Sequence, residues 1–222
     1  MGAATGQSLP VAVGVLLSPL PIVAVVLMLT SERARANASA FVVSWFVAVL
    51  AAVAAVAFLT AGTASDDGDP AAWAGWLKIV LGILLLVVGV RQFLGRPGAG
   101  VEPPAPRWMA AIDHFTPARS AGLAVLLVVV NPKNLLLVVS GGVAIASATE
   151  STGPTVIASL VFALVATIGV AVPVAIYVAM GARAARILRG LEAWMVHNNA
   201  VIMAVLLLIL GTKILGDGIA TL

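Results

Sequence analysis

The stretch that decides the fold is Leu123-Ala124-Val125-Leu126-Leu127-Val128-Val129-Val130-Asn131-Pro132-Lys133-Asn134-Leu135-Leu136-Leu137-Val138-Val139. Four polar or helix-breaking residues interrupt an otherwise unbroken aliphatic run. A water-exposed loop carries such residues freely. A membrane span carries them only where protein or a polar cavity receives them.

The composition around this stretch points to the membrane. The chain has 222 residues, 62% hydrophobic and 9% charged, against about 25% charged in soluble domains. Six apolar runs, near residues 9–30, 39–60, 73–94, 120–146, 155–180 and 199–215, are each long enough to cross a bilayer core of about 30 Å. None alternates apolar and polar residues as a barrel strand does. The expectation is an all-α membrane protein with six transmembrane helices and one transmembrane domain over residues 1–222. Helices 1–3 take about 9–94, a cytoplasmic linker and interfacial helix take 95–119, and helices 4–6 take about 120–215. The first run lacks a basic n-region and is longer than a signal-peptide core, so it is expected to stay in the protein.

The arginines orient the chain. Arg33 and Arg35 follow the first run. Arg91, Arg96, Arg107 and Arg119 flank the connection between the third and fourth. Arg183, Arg186 and Arg189 lie between the fifth and sixth. The other two connections carry Asp66, Asp67, Asp69 and Glu150 instead. Basic residues mark cytoplasmic loops, so the protein is placed in the cytoplasmic (inner) membrane with both termini outside. Trp108, Ile112 and Phe115 recur at helical spacing, which predicts a short amphipathic helix on the inner membrane surface. Residues 182–197 predict a second. Asp113, Arg119 and Arg186 are the candidate residues of a cytoplasmic interface or gate, or of a surface that collects anionic lipid, set against plain interfacial anchoring.

An odd number of spans per half makes the second half enter from the opposite side. Helices 1–3 and 4–6 therefore fit a 3+3 inverted-topology repeat, an architecture common among secondary transporters. Ser18-Pro19-Leu20-Pro21 lies near the middle of the first run, where Asn131-Pro132-Lys133-Asn134 lies in the fourth. Proline removes a backbone donor and clashes with the preceding turn, so helices 1 and 4 are expected to break at the midplane. Ser18, Pro19, Pro21, Asn131, Pro132, Lys133 and Asn134 are the candidate substrate-binding residues. Ordinary proline kinks are the competing reading.

Lys133 lies about 20 Å from the cytoplasmic end of its run, at 1.5 Å per helical residue. No Asp or Glu occupies the apolar middle of any run. The ammonium must then meet a ligand, bind carbonyls freed by the breaks, or give up its proton. The structural alternative is a lysine satisfied by Asn131, Asn134 and those carbonyls. Lys78 and Lys213 fall near the outer ends of spans, where snorkelling competes with an exit vestibule, and Asp217 is placed to pair with Lys213. Gly75, Gly82 and Gly89 form one stripe suited to close helix packing. Gly141 with Gly142 and Gly169 with Pro173 are further packing or bending points.

No Ser/His/Asp grouping, paired intramembrane carboxylates or phosphate-binding glycine loop occurs, so no enzyme activity, catalytic residue or cofactor is expected. Cysteine is absent, and His114 and His197 are far apart in sequence, so no metal site is expected. Nothing points to nucleic acid.

The combination of Trp108 and Asp113-His114-Phe115-Thr116-Pro117-Ala118-Arg119 with Asn131-Pro132-Lys133-Asn134 resembles the Sap/GAP family. These are the sulfolipid- and peptidoglycolipid-addressing proteins of the lysine-exporter (LysE-type) superfamily. The Pro-rich break of the first run, Lys78-Ile79-Val80-Leu81-Gly82, Arg96-Pro97 and Lys213-Ile214-Leu215-Gly216-Asp217-Gly218-Ile219 are also similar. The resemblance spans essentially the whole chain. It implies six helices in two inverted halves, a role in moving envelope glycolipids towards the cell surface, and dimers as in the wider superfamily. The expected function is a secondary-type transporter or flippase-like exporter of an anionic or glycosylated envelope lipid. The alternatives are an exporter of a small polar solute such as an amino acid, or a non-transporting scaffold for lipid-export machinery. Expected partners are membrane lipids, the lipid substrate, a second copy of the chain and a larger export machinery.

Overall fold

The computed structural model describes residues 2–61, 72–96, 109 and 111–222. Among these the chain is all-helical. In order come α1 (Gly2–Leu16), α2 (Pro19–Thr30), α3 (Ala34–Ala61), α4 (Ala72–Leu94), a 3-10 turn (Ile112–His114), α5 (Pro117–Val129), α6 (Pro132–Ala146), α7 (Thr152–Met180), a second 3-10 turn (Gly181–Arg183) and α8 (Ala184–Ile219). Helices α3, α4, α7 and α8 are each long and apolar enough to cross a membrane. The pairs α1–α2 and α5–α6 reach that length only together, bent by 50° and 67°. The chain thus has the helices of a multi-pass membrane protein with four to six spans.

The breaks fall at the prolines. Pro19 and Pro132 each open a new helix at its first turn, where a missing N–H costs nothing. The residue before each is extended, Ser18 at φ −66°, ψ 115° and Asn131 at φ −72°, ψ 112°. Proline forces this by clashing with an α-helical predecessor. A bend of this size still lets the chain advance. With 15 and 12 residues meeting at 50°, and 13 and 15 at 67°, each bent pair reaches about 35 Å end to end at 1.5 Å per residue.

One face of each long helix is buried and the other is apolar but exposed, as lipid contact requires. On α3, Phe41, Trp45, Val49, Val53 and Ala57 are fully buried at four-residue spacing, while Val43 and Val47 are exposed. The rings of Phe41 and Trp45 stack with centroids 6.1 Å apart. The Trp45 indole N–H donates to the Ala166 carbonyl of α7 at 3.3 Å. Helix α2 is innermost: Pro19, Pro21 and every residue from Ile22 to Val26 are buried. It lies among α3, α7 and α8.

Helices α4 and α8 run antiparallel in close contact. A methyl on Gly82 would lie 2.7 Å from the Leu215 backbone nitrogen, and one on Gly218 would lie 2.9 Å from the Gly75 carbonyl. Lipid tails give helices little hydrophobic reason to associate, so dispersion at this close approach carries the contact. The glycine stripe read from the sequence is therefore a packing seam.

Two expectations need correction. Residues 182–197 do not form a separate surface-lying helix. Ala184–Ile219 is one helix of 36 residues, about 54 Å long. Its first turns turn Ala184, Leu188 and Met195 into the bundle, while Arg186, Ile187, Arg189 and Trp194 face outward. The expected amphipathic helix at 107–119 is also different. Arg107 and Trp108 lie outside the described residues, as do Asp66, Asp67, Asp69 and the 97–106 linker. Ile112 is buried, and Phe115 packs on the core instead of lying on a membrane surface. The Asn37 side-chain amide donates to the Phe115 carbonyl at 3.0 Å and fastens this turn to α3. From Thr116, whose hydroxyl caps the helix by accepting from the Arg119 N–H, the chain is already in α5.

Candidate functional site

The two breaks come together inside the bundle. The last turn of α1 lies against α6, α7 and α8: a methyl on Gly14 would sit 3.4 Å from Leu137 Cδ1 and closer still to Leu210. Leu137 is only a turn and a half beyond Pro132. On the other side the Leu16 carbonyl presses against Gly169 of α7, where a Cβ would leave no space. Gly169 is also the residue whose own carbonyl loses its helical partner to Pro173, four positions on. Helix α7 nevertheless runs unbroken through Pro173. On the far flank of α6, Gly141 accommodates Phe162 and Gly142 accommodates Val56.

The polar residues at the second break divide the work. Asn131 is the N-cap of α6, its side-chain oxygen accepting from the Lys133 backbone N–H at 3.2 Å. Asn134 is fully buried, and its side-chain amide donates back across the break to the Leu127 carbonyl at 2.8 Å. That carbonyl lies in the last turn of α5, where the chain leaves the helix and backbone acceptors run out of partners. The two asparagines therefore hold the break open at a fixed angle.

The lysine side chain is left without such partners. Lys133 is half-buried at the second position of α6, and its ammonium makes no hydrogen bond or ion pair among the described residues. Neither asparagine and no freed carbonyl receives it. A buried acceptor stands unpartnered nearby in sequence, the Asn134 side-chain oxygen. At the first break, Ser18, Pro19 and Pro21 are buried. The Ser18 hydroxyl makes no capping hydrogen bond. No hydrogen bond joins the residues of one break to those of the other. Pro132 is exposed on the outside of its turn.

The three candidate gate residues are not brought to this place. Asp113 lies in the 3-10 turn before α5, Arg119 in the first turn of α5 and Arg186 in the first turns of α8, all exposed. A second polar group, Lys78 with Lys213 and Asp217, forms at the far end of the α4–α8 seam. Lys78 is buried and its ammonium donates to the Thr221 hydroxyl at 3.4 Å. Lys213 forms an ion pair with Asp217, as its spacing predicted.

Chemically, the second break offers a fixed polar turn with one cation that no carboxylate among the described residues neutralises. It can hold an anion or a hydrogen-bonding head group. A family model described as SfLAP (Sap, sulfolipid-1-addressing protein) matches residues 9–220. Searches of curated proteins and of solved structures returned no match. That family match takes in both proline breaks, the lysine at the second and all of the long helices, and with it the chain belongs to the sulfolipid-1-addressing protein family.

Proposed function

We propose that the protein moves an anionic or glycosylated envelope lipid across the cytoplasmic membrane, as a secondary-type transporter or flippase-like exporter and not as an enzyme. The observation that carries this is Lys133, an unpaired ammonium at a break in a membrane-length helix pair. Burying a charge without a partner is costly. In the proposed cycle the lipid head group supplies the missing anion while the acyl chains stay in the bilayer. The family description names a sulfolipid, a lipid with an anionic group, and agrees with that charge.

In this reading each bent pair is one span, giving six spans in two inverted halves related to the LysE-type superfamily. Three features support it. The residues before Pro19 and Pro132 share nearly the same backbone angles. The contacts repeat when the halves are exchanged: α3 packs on α5 as α7 packs on α1, α3 on α6 as α7 on α2, and α2 on α8 as α6 on α4. Gly14, one turn before the first break, packs against Leu137, just past the second. Ser18, Pro19, Pro21, Asn131, Pro132 and Asn134 shape the seam, and Lys133 recognises charge. Both termini face outward, and a second copy of the chain and a larger export machinery are the proposed partners.

The test is reconstitution in vesicles with a head-group-labelled anionic glycolipid. Lys133→Ala removes a charged hydrogen-bond donor worth about 1.5–3 kcal/mol and should slow lipid movement by about tenfold or more, with unchanged thermal unfolding. Full activity in a well-folded Lys133→Ala protein would sink the proposal. Movement of a labelled amino acid but not of lipid would assign the same seam to a small polar solute.

A further inference from the structure

We propose a second, separate lipid site: Arg183, Arg186 and Arg189 bind the phosphate of an anionic glycerophospholipid at the junction of α7 and α8. The three guanidinium-bearing side chains line one surface depression with Met180 and Ile187. Spaced three residues apart, they occupy about a third of the helix circumference over about 9 Å of rise. All three are exposed, and none pairs with a carboxylate among the described residues. Glu192 is close enough to Arg189 to interact electrostatically, yet forms no ion pair with it.

Helix electrostatics make this placement unfavourable unless an anion is present. The first turns of α8 carry the positive end of its dipole, where acidic residues stabilise and basic ones do not. Helix α8 has no acidic residue in its first turn and no side-chain cap. The end of α7 welcomes a neighbouring cation, which accounts for Arg183 but not for Arg189, six residues on. Orientation by positive charge asks for basic residues somewhere in the connection. It does not ask for three around one depression.

The apolar members choose between a lipid and a free anion. Met180 and Ile187 are 43% and 52% exposed at the edge of the depression. They offer a surface for an acyl chain beside the phosphate, which arginine holds in a forked geometry. The junction itself is specialised. Gly181 has φ 56°, the one positive φ among the described residues, a conformation other residues avoid. A head group held here would brace the connection between the last two long helices.

Native mass spectrometry of the full chain in detergent tests this, with phosphatidylglycerol, phosphatidylcholine and inorganic phosphate as probes. Phosphatidylglycerol should bind in preference to phosphatidylcholine. Arg186→Gln should weaken it about fivefold and the triple Arg→Gln variant about a hundredfold, from about 1 kcal/mol per arginine at a charged lipid surface. In a Lys133→Ala background the triple variant should lose phosphatidylglycerol by the same factor as in the native background, because independent sites add, which separates the site from the transport reading. Undiminished phosphatidylglycerol binding in a folded triple variant would overturn the proposal. Equal binding of phosphatidylcholine would do the same, as would inorganic phosphate competing as strongly as the lipid. If the triple variant does not fold, the single Arg186→Gln variant decides.

Discussion

At the scale of single residues, the second break assigns different tasks to neighbours that look alike in sequence. Asn131 caps a helix, Asn134 ties two helix ends together, and Lys133 between them ties nothing. Replacing Asn134 by Ala removes the donor to the buried Leu127 carbonyl, a loss of about 1–3 kcal/mol. The same change removes the Asn134 side-chain oxygen, a buried acceptor with no partner of its own. That relief offsets part of the loss, so the net destabilisation should be about 1 kcal/mol. Denaturant unfolding in detergent measures it; a change of several kcal/mol would mean that Asn134 holds more than this carbonyl. The break and its lysine were legible in the sequence because proline chemistry is local. The task of Asn134 was not, because its acceptor lies seven residues back and comes within reach only once the chain has bent by 67°.

At the scale of elements, the α4–α8 seam makes a prediction from two glycines. A Cβ on Gly82 meets the backbone of Leu215, which cannot swing aside as a side chain would. Gly82→Ala should force the helices apart and cost about 1–3 kcal/mol, as overpacking does. A Cβ on Gly216 meets nothing within 4 Å, so Gly216→Ala should gain up to about 1 kcal/mol from backbone entropy alone. Opposite signs in thermal unfolding would support the seam; equal effects would dissolve it. The sequence predicted the stripe on α4 because its spacing is regular. It did not predict the partner surface, or that packing there buries Lys78, since neither follows from one helix alone. The same limit explains α8. Polar residues from Arg183 to Asn198 lower the hydropathy and invite a boundary, yet Leu188 and Met195 keep the helix docked through that region. Ile112 repeats the lesson: its helical spacing was read correctly as apolar contact, but the contact is the bundle and not the bilayer.

At the scale of the whole molecule, the open question is whether each bent pair crosses the membrane or returns to the side it entered. The distinction fixes which loops share a side. If both pairs cross, Glu32 and Glu150 lie on opposite sides. If both return, Glu32 and Glu150 lie on the same side, and Arg183, Arg186 and Arg189 are carried to the side opposite Arg33 and Arg35. The second arrangement splits the basic residues across the membrane against the positive-inside tendency. It also asks for a reversal, whereas bends of 50° and 67° leave each pair advancing by about 35 Å, enough for a core of about 30 Å. Both arguments favour crossing. The chain lacks cysteine, so Glu32→Cys and Glu150→Cys each introduce a single thiol at an exposed loop position. With a membrane-impermeant maleimide, Glu150→Cys should label on intact cells and Glu32→Cys only after permeabilisation. Labelling of both from the same side would reduce the spans to four and turn the two breaks into the tips of re-entrant loops. Lys133 would then sit at the end of a hairpin and not at the middle of a path.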